Sequence, residues 1–300
     1  MLSFWQRVPA IVRGVVAGGL VATAGLVPWT LFVTANQKVW LSVPWAILPN
    51  SLFLWLFWRY LNGEGWPRAT SEARRTSLRA NSLSGDVWGM SIFAGILGFI
   101  ALFPLLGLMS RLVVLPAESQ PIRVPPEMPF ATVFLLLVMT SIVAGVVEEA
   151  AFRGYMQGPI ERRHGPVVAI LVSGALFGFG HFTHHPASVL AMLPYYLAVT
   201  AIYGGLAWAT NSILPSLVLH ASGDILELNR LWMTGQPEWQ LASKAPQLIW
   251  ATGGDAAFWG YAAAFILAGS AAVWAYATLA TIVQKERASG GPLNGALPAG

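Results

Sequence analysis

The sequence predicts an all-α fold, a polytopic membrane helix bundle of about eight transmembrane helices, and three observations carry that prediction. Only 10% of the 300 residues are Asp, Glu, Lys or Arg, against about 25% in a soluble protein. Hydrophobic residues make up 56% and the mean hydropathy is +0.61, so the chain has more apolar surface than a compact domain can hide from water. Charge-free runs of spanning length recur along it. A membrane helix needs roughly 20 such residues, because it must satisfy its own backbone hydrogen bonds in hydrocarbon.

In chain order, the first run is 14–35. Arg7 and Arg13 precede it and Ala22-Thr23-Ala24 imitates a cleavage site, but the apolar stretch is too long for a signal peptide and reads as a retained helix. The second run is 39–58. A polar stretch, 62–86, follows, in which Arg74, Arg75 and Arg79 read as a cytoplasmic loop resting on anionic headgroups. Runs 87–110, 128–147 and 187–209 are clear spans, and 256–283 is long enough to cross with tilt. Two segments are weaker. Segment 165–182 contains His181, and 212–228 carries His220, Asp224 and Glu227. Pro44, Pro49 and Pro104 lie inside spans and are expected to kink them. The Gly, Pro and Ala-rich residues 289–300 read as a disordered tail.

The organisation that follows is 1–127, N-terminal helices with a basic loop; 128–228, the segment that carries chemistry; 229–288, a loop and C-terminal helix; and the tail. With the N-terminus inside, twelve Lys and Arg fall on the inner side and five on the outer, which puts both termini in the cytoplasm. The net charge of +4 sits in short loops between apolar runs, so the expected partner is the lipid bilayer and not nucleic acid. The chain has no Cys, which removes thiol nucleophiles and cysteine-ligated metals.

An ionisable side chain at the bilayer centre costs about 2.5 to 3.5 kcal/mol on insertion scales, so such groups usually have a task. Here they concentrate in three segments, as Glu148-Glu149 with Arg153, as Phe177 to His181, and as His220 to Asp224. Glu149 and Arg153 are i and i+4 and can pair, which leaves Glu148 turned about 100° away and without a cation. A carboxylate in a low-dielectric site with no cation can accept and return a proton, as a general base must. His164-Gly165-Pro166 forms the turn of a hairpin, and Glu148 and His181 each lie about 24 Å from it at 1.5 Å per residue. They share a depth. His220 and Asp224, also i and i+4, offer an imidazole and a carboxyl on one face.

Plainer readings stand beside these. Glu149 with Arg153 also reads as a structural buried pair, His181 as a hydrogen-bonded core histidine, and Phe177 as packing. His164, His184 and His185 read as solvated loop residues. What resists them together is that three separate segments bring acid, base or donor groups into an apolar protein.

At these residues the sequence resembles the CPBP intramembrane proteases, a family that includes type II CAAX prenyl endopeptidases and bacteriocin-processing or Abi-type proteins. The resemblance covers about 128–228: Glu148, Glu149 and Arg153, then Phe177 with His181, then His220 with residue 224. It implies hydrolysis of a peptide bond in a membrane-associated protein or peptide, with Glu148 and His181 activating water and His220 with residue 224 stabilising the oxyanion. The family pattern has Asn or Asp at the last position. An ionised Asp224 would repel an oxyanion, so it must be protonated or must orient a protonated His220. A divalent metal such as zinc, held by Glu148, His181 and His220, fits the residue types. A metal-free Glu-activated water needs the same residues and is the simpler reading.

Other intramembrane chemistries lack their signatures. There is no H-E-x-x-H, Ser173 is about 12 Å along the helix from His181, and Asp224 has no second Asp in an apolar span for a dyad. The alternatives from other classes are a proton-coupled membrane transporter using Glu148, His181 and His220 as a relay, and a non-enzymatic membrane scaffold with a degenerate site. The Ala, Gly, Arg and Trp-rich composition suggests a bacterial cell membrane.

Overall fold

The computed structural model describes residues 5, 7–115, 124–181, 186–235 and 247–289. The tail at 290–300, with His184 and His185, lies outside the described residues. Among the described residues every regular element is helical and none is a strand, as an apolar chain in lipid requires. Five segments are long and apolar enough to cross a membrane: Ala10–Asn36, Gly85–Leu112, Phe130–Gly180, Leu190–Thr210 and Ala256–Ala288. Large apolar side chains stand exposed along them, as at Leu20, Leu31, Leu267 and Val273, which suits an acyl-chain environment.

The difference from about eight spans arises in three places. Of run 39–58, only Ile47–Leu61, 15 residues, begins a helix (α2) after the first helix, Ala10–Asn36 (α1). The residues between them turn, tied by Asn36, whose Nδ2 donates to the Val43 carbonyl at 2.9 Å and whose Oδ1 accepts from the Ala46 N–H at 3.0 Å. Runs 128–147 and 165–182 fall within one 51-residue helical segment. That segment bends at Gly165, whose φ of 81° is a left-handed value open chiefly to glycine. The segment 212–228 forms a helix, but one too polar to count as a span by composition.

The described chain divides into two compact units, neither continuous in sequence. The first takes in α1, α2, a short helix Ser71–Leu78 (α3), part of the long segment, and Leu214–Thr234. Here α1 presents glycines to the long segment. A Cβ on Gly14, Gly18 or Gly25 would lie 2.6 Å from the Met156 carbonyl oxygen, 2.8 Å from that of Ala151 and 2.4 Å from Val147 Cγ1. Close backbone approach through small residues is how helices associate in lipid, where dispersion replaces the hydrophobic effect.

The basic stretch after α2 differs from its reading as a loop lying on headgroups. Arg74 and Arg79 are buried, at 6% and 4% exposure. Arg74 donates to the carbonyls of Tyr60, Pro67 and Glu64 at 2.8, 3.1 and 2.9 Å, while Arg79 pairs with Glu161 at 3.2 Å. Burial demands partners for a guanidinium, and backbone carbonyls at a helix end supply them. Only Arg75 of the three is exposed, paired with Glu72.

The second unit holds Gly85–Leu112 (α4), the end of the long segment, and Pro186–Thr210 and Ala256–Ala288. The last of these runs antiparallel to α4 and is clipped to it at both ends, by Arg111 with Asp255 at 2.9 Å and by a hydrogen bond from Ser84 to Glu286.

Candidate active site

The site begins where the helix Phe130–Glu148 (α5) widens into a π-helical turn, Glu149–Met156. Such bulges are rare overall and are frequent at functional sites. Gly154 lets the turn accept the end of α3, since a Cβ there would stand 2.9 Å from the Ser77 carbonyl oxygen. Its continuation is the helix Gln157–Gly180 (α6), which carries the bend at Gly165. The helix Pro186–Thr210 (α7) lies in the second unit, and Leu214–Thr234 (α8) belongs to the first.

α8 comes close to α5 through Gly145, where a Cβ would lie 2.8 Å from Ala221 Cβ. That approach sets His220 against both glutamates. Its Nδ1 is 2.8 Å from Glu149 Oε1, and its Nε2 is 3.8 Å from Glu148 Oε2 and 3.6 Å from Asp224 Oδ2. The short contact makes Nδ1–H the donor to Glu149 and turns Nε2 toward the other two carboxyls. Arg153 lies 3.4 Å from the same Glu149 oxygen, and both side chains are fully buried. Exposure then rises outward, to 17% for the Glu148 side chain and 34% for Asp224.

Five of the six residues singled out from the sequence, Glu148, Glu149, Arg153, His220 and Asp224, thus meet within the first unit. His181 belongs to the second and sits in an aromatic cluster of its own. Its Nδ1 is 2.8 Å from the Phe177 carbonyl, which accepts from it, and its ring lies tilted at 4.8 Å from those of Phe177 and Tyr196. Tyr196, on α7, escaped the sequence reading because an aromatic in an apolar span looks like packing. The pointer to it was Gly178, where a Cβ would press within 3.2 Å of Tyr196.

The ordered set of motifs on these helices can now be compared with known proteins. Residues 130–226 match the family model of type II CAAX prenyl endopeptidase Rce1-like proteins. The match starts with α5 and takes in all six residues, and it bears out the resemblance to CPBP proteases. Over this Rce1-like segment the chain is similar to CAAX-type intramembrane proteases, which are protease-type hydrolases. With its apolar helices, the chain is a multi-pass integral membrane protein. Neither a curated protein nor a solved structure matches it.

Among the described residues, no group of three or more His, Asp or Glu is gathered so as to hold a metal ion. Glu148 and His220, which the first unit brings together, are residue types that a divalent metal such as zinc accepts, and the steps proposed below use the side chains themselves.

Proposed function

We propose that this protein is an intramembrane endopeptidase that hydrolyses a peptide bond of a membrane-associated protein or peptide through a Glu-activated water. The observation that carries the reading is the clasp on His220, with a buried carboxylate at Nδ1 and two less buried carboxyls 3.6 and 3.8 Å from Nε2. Those two distances are longer than direct hydrogen bonds, so the ring's Nε2 and both carboxyls converge without closing on one another, next to where a substrate carbonyl and its attacking water would have to sit.

In this mechanism Glu148 removes a proton from water as its oxygen attacks the scissile carbonyl carbon. The carbonyl oxygen becomes an oxyanion, which takes a hydrogen bond from protonated His220 at Nε2. Glu149 accepts from Nδ1 and so fixes the ring's orientation, while Arg153 holds Glu149 in place. Collapse of the intermediate breaks the C–N bond, and Glu148 returns its proton to the leaving amine. Asp224 acts by orienting protonated His220. His181 enters as the second water-activating group through the family resemblance. The placement of both termini in the cytoplasm rests on the Lys and Arg distribution, and the assignment to a bacterial membrane on the Ala, Gly, Arg and Trp-rich composition.

The deciding experiment compares wild type with Glu148→Gln in proteoliposomes that hold a membrane-tethered peptide reporter. Loss of cleavage with solute and ion flux at background in both supports the protease. Flux that depends on Glu148, with no cleavage by wild type, would make the protein a carrier instead.

A further inference from the structure

A second polar site lies in the first unit, apart from the His220 clasp and independent of the protease reading. It is a cavity of about 390 Å³ lined by Arg13 of α1, Arg162 and Arg163 of α6, Ser77, Tyr155 and Trp5. None of its three arginines forms an ion pair or donates a side-chain hydrogen bond among the described residues. The Arg13 Nε is shut off from solvent without a partner. The carboxylate next to Arg162 in the chain, Glu161, is already committed. Glu161 takes both Nη groups of Arg79 at 3.2 Å and the Gln157 amide at 3.1 Å. Arg79 and Arg162 both pass over Gly158, within 3.6 and 3.5 Å of where a Cβ would stand, so the positive charge is crowded rather than spread.

Uncompensated guanidiniums forced together around a cavity favour an anion with several acceptor oxygens. Arginine's fork of donors matches phosphate in particular. The location supplies the rest: Arg13 lies in the first turn of a membrane-length helix, and the lining indole of Trp5 is the side chain enriched at membrane interfaces. We infer that this cavity binds a phosphate group through Arg13, Arg162 and Arg163, the phosphate being that of an anionic phospholipid headgroup or a free phosphate anion.

The test uses the full chain in neutral detergent and titrates three probes separately, short-chain phosphatidylglycerol, short-chain phosphatidylcholine and inorganic phosphate, reading the thermal unfolding midpoint. A rise with phosphatidylglycerol alone assigns the site to a lipid headgroup, and a rise with inorganic phosphate as well assigns it to free phosphate. Either result requires that Arg162→Gln and Arg163→Gln, made singly, each weaken the apparent affinity about fivefold, the worth of one basic residue beside an anionic surface. Arg75→Gln, which removes an exposed arginine already paired with Glu72, should leave it unchanged. Arg162 and Arg163 are exposed and form no ion pair among the described residues, so each variant should fold, and its ligand-free midpoint verifies this. Equal response to all three probes, no response to any, or variants that bind as wild type would overturn the assignment.

Discussion

Glu149 Oε1 receives the Nδ1 of His220 at 2.8 Å while standing 3.4 Å from Arg153. One oxygen therefore serves a cation on its own helical segment and an imidazole from α8. A pairing that looks self-contained from i and i+4 spacing is thus the anchor of a longer chain of contacts, Arg153 to Glu149 to His220 to Glu148 and Asp224.

Removing that anchor should unfold more than it inactivates. Glu149→Ala leaves Arg153 charged and fully buried, and breaking one side of a buried pair costs about 3 to 5 kcal/mol. Thermal unfolding in detergent should show a large drop in midpoint. Replacing both residues with Met should restore much of the stability but not the cleavage, since His220 would still lack its orienting acceptor.

Glu148→Gln should behave in the opposite way. The side chain is partly exposed and its ion pair with His220 is long, at 3.8 Å, so stability should stay within about 1 kcal/mol of wild type. Reporter cleavage should fall by about 10² to 10⁴, the usual worth of a general base. A single-turnover assay on the tethered peptide separates this loss from weaker substrate binding.

Asp224→Asn should cleave at least as fast as wild type. The amide keeps the shape 3.6 Å from His220 Nε2 and can donate to an oxyanion that a carboxylate would repel. Asp224→Leu should slow cleavage. A rate with Asn as low as with Leu would show that the carboxyl itself is needed.

Adjacent glycines of α1 make a further contrast. A Cβ on Gly18 would lie 2.8 Å from the Ala151 carbonyl oxygen, whereas one on Gly19 would meet nothing within 4 Å. Gly18→Val should push α1 off the π-helical turn, with a cost of about 1 to 3 kcal/mol and reduced cleavage. Gly19→Ala should be neutral or stabilising by up to about 1 kcal/mol, as expected for glycine replaced in a helix interior. Paired thermal melts of the two variants decide it.

The second unit has its own pH signature. Asp255 accepts from the Phe258 backbone N–H at 3.0 Å and from Arg111 at 2.9 Å, and these bonds hold its carboxyl below the ordinary value of 3.8. A lowered carboxyl stabilises the fold fully above the unfolded value and loses that contribution as pH falls through the folded one. The midpoint difference between wild type and Asp255→Asn should therefore be constant at neutral pH and shrink only below about pH 4. A difference that instead closed between pH 6 and 8 would assign it to another group.

Much of this protein can be read from local sequence. Its composition fixes the bilayer as solvent, because so few charges cannot keep so much apolar surface in water. The apolar runs locate the long helices, since length and hydropathy are properties of consecutive residues. The ionisable groups at 148, 149, 153, 181, 220 and 224 stand out because charge is costly in such surroundings. Where the reading of the 39–58 run departs from the fold, the reason is Asn36, which ties down residues ten positions ahead and replaces helix with turn. The basic stretch departs for a similar reason, as Arg74 and Arg79 find carbonyl and carboxylate partners that no charge count reveals.

What only the tertiary structure decided is which groups meet. Spacing along one helix pairs Glu149 with Arg153, but the choice of that same oxygen by His220 depends on how closely α8 approaches α5, and Gly145 against Ala221 sets that distance. The support given by α1 to the π-helical turn likewise comes from Gly14 and Gly18, which meet backbone more than a hundred residues away in the chain, with Gly25 against the Val147 side chain of α5. Hydropathy adds up residue by residue, so it is written locally. Partner choice depends on helix rotation and on gaps of a few tenths of an ångström between distant segments, and those are fixed only once the helices have packed.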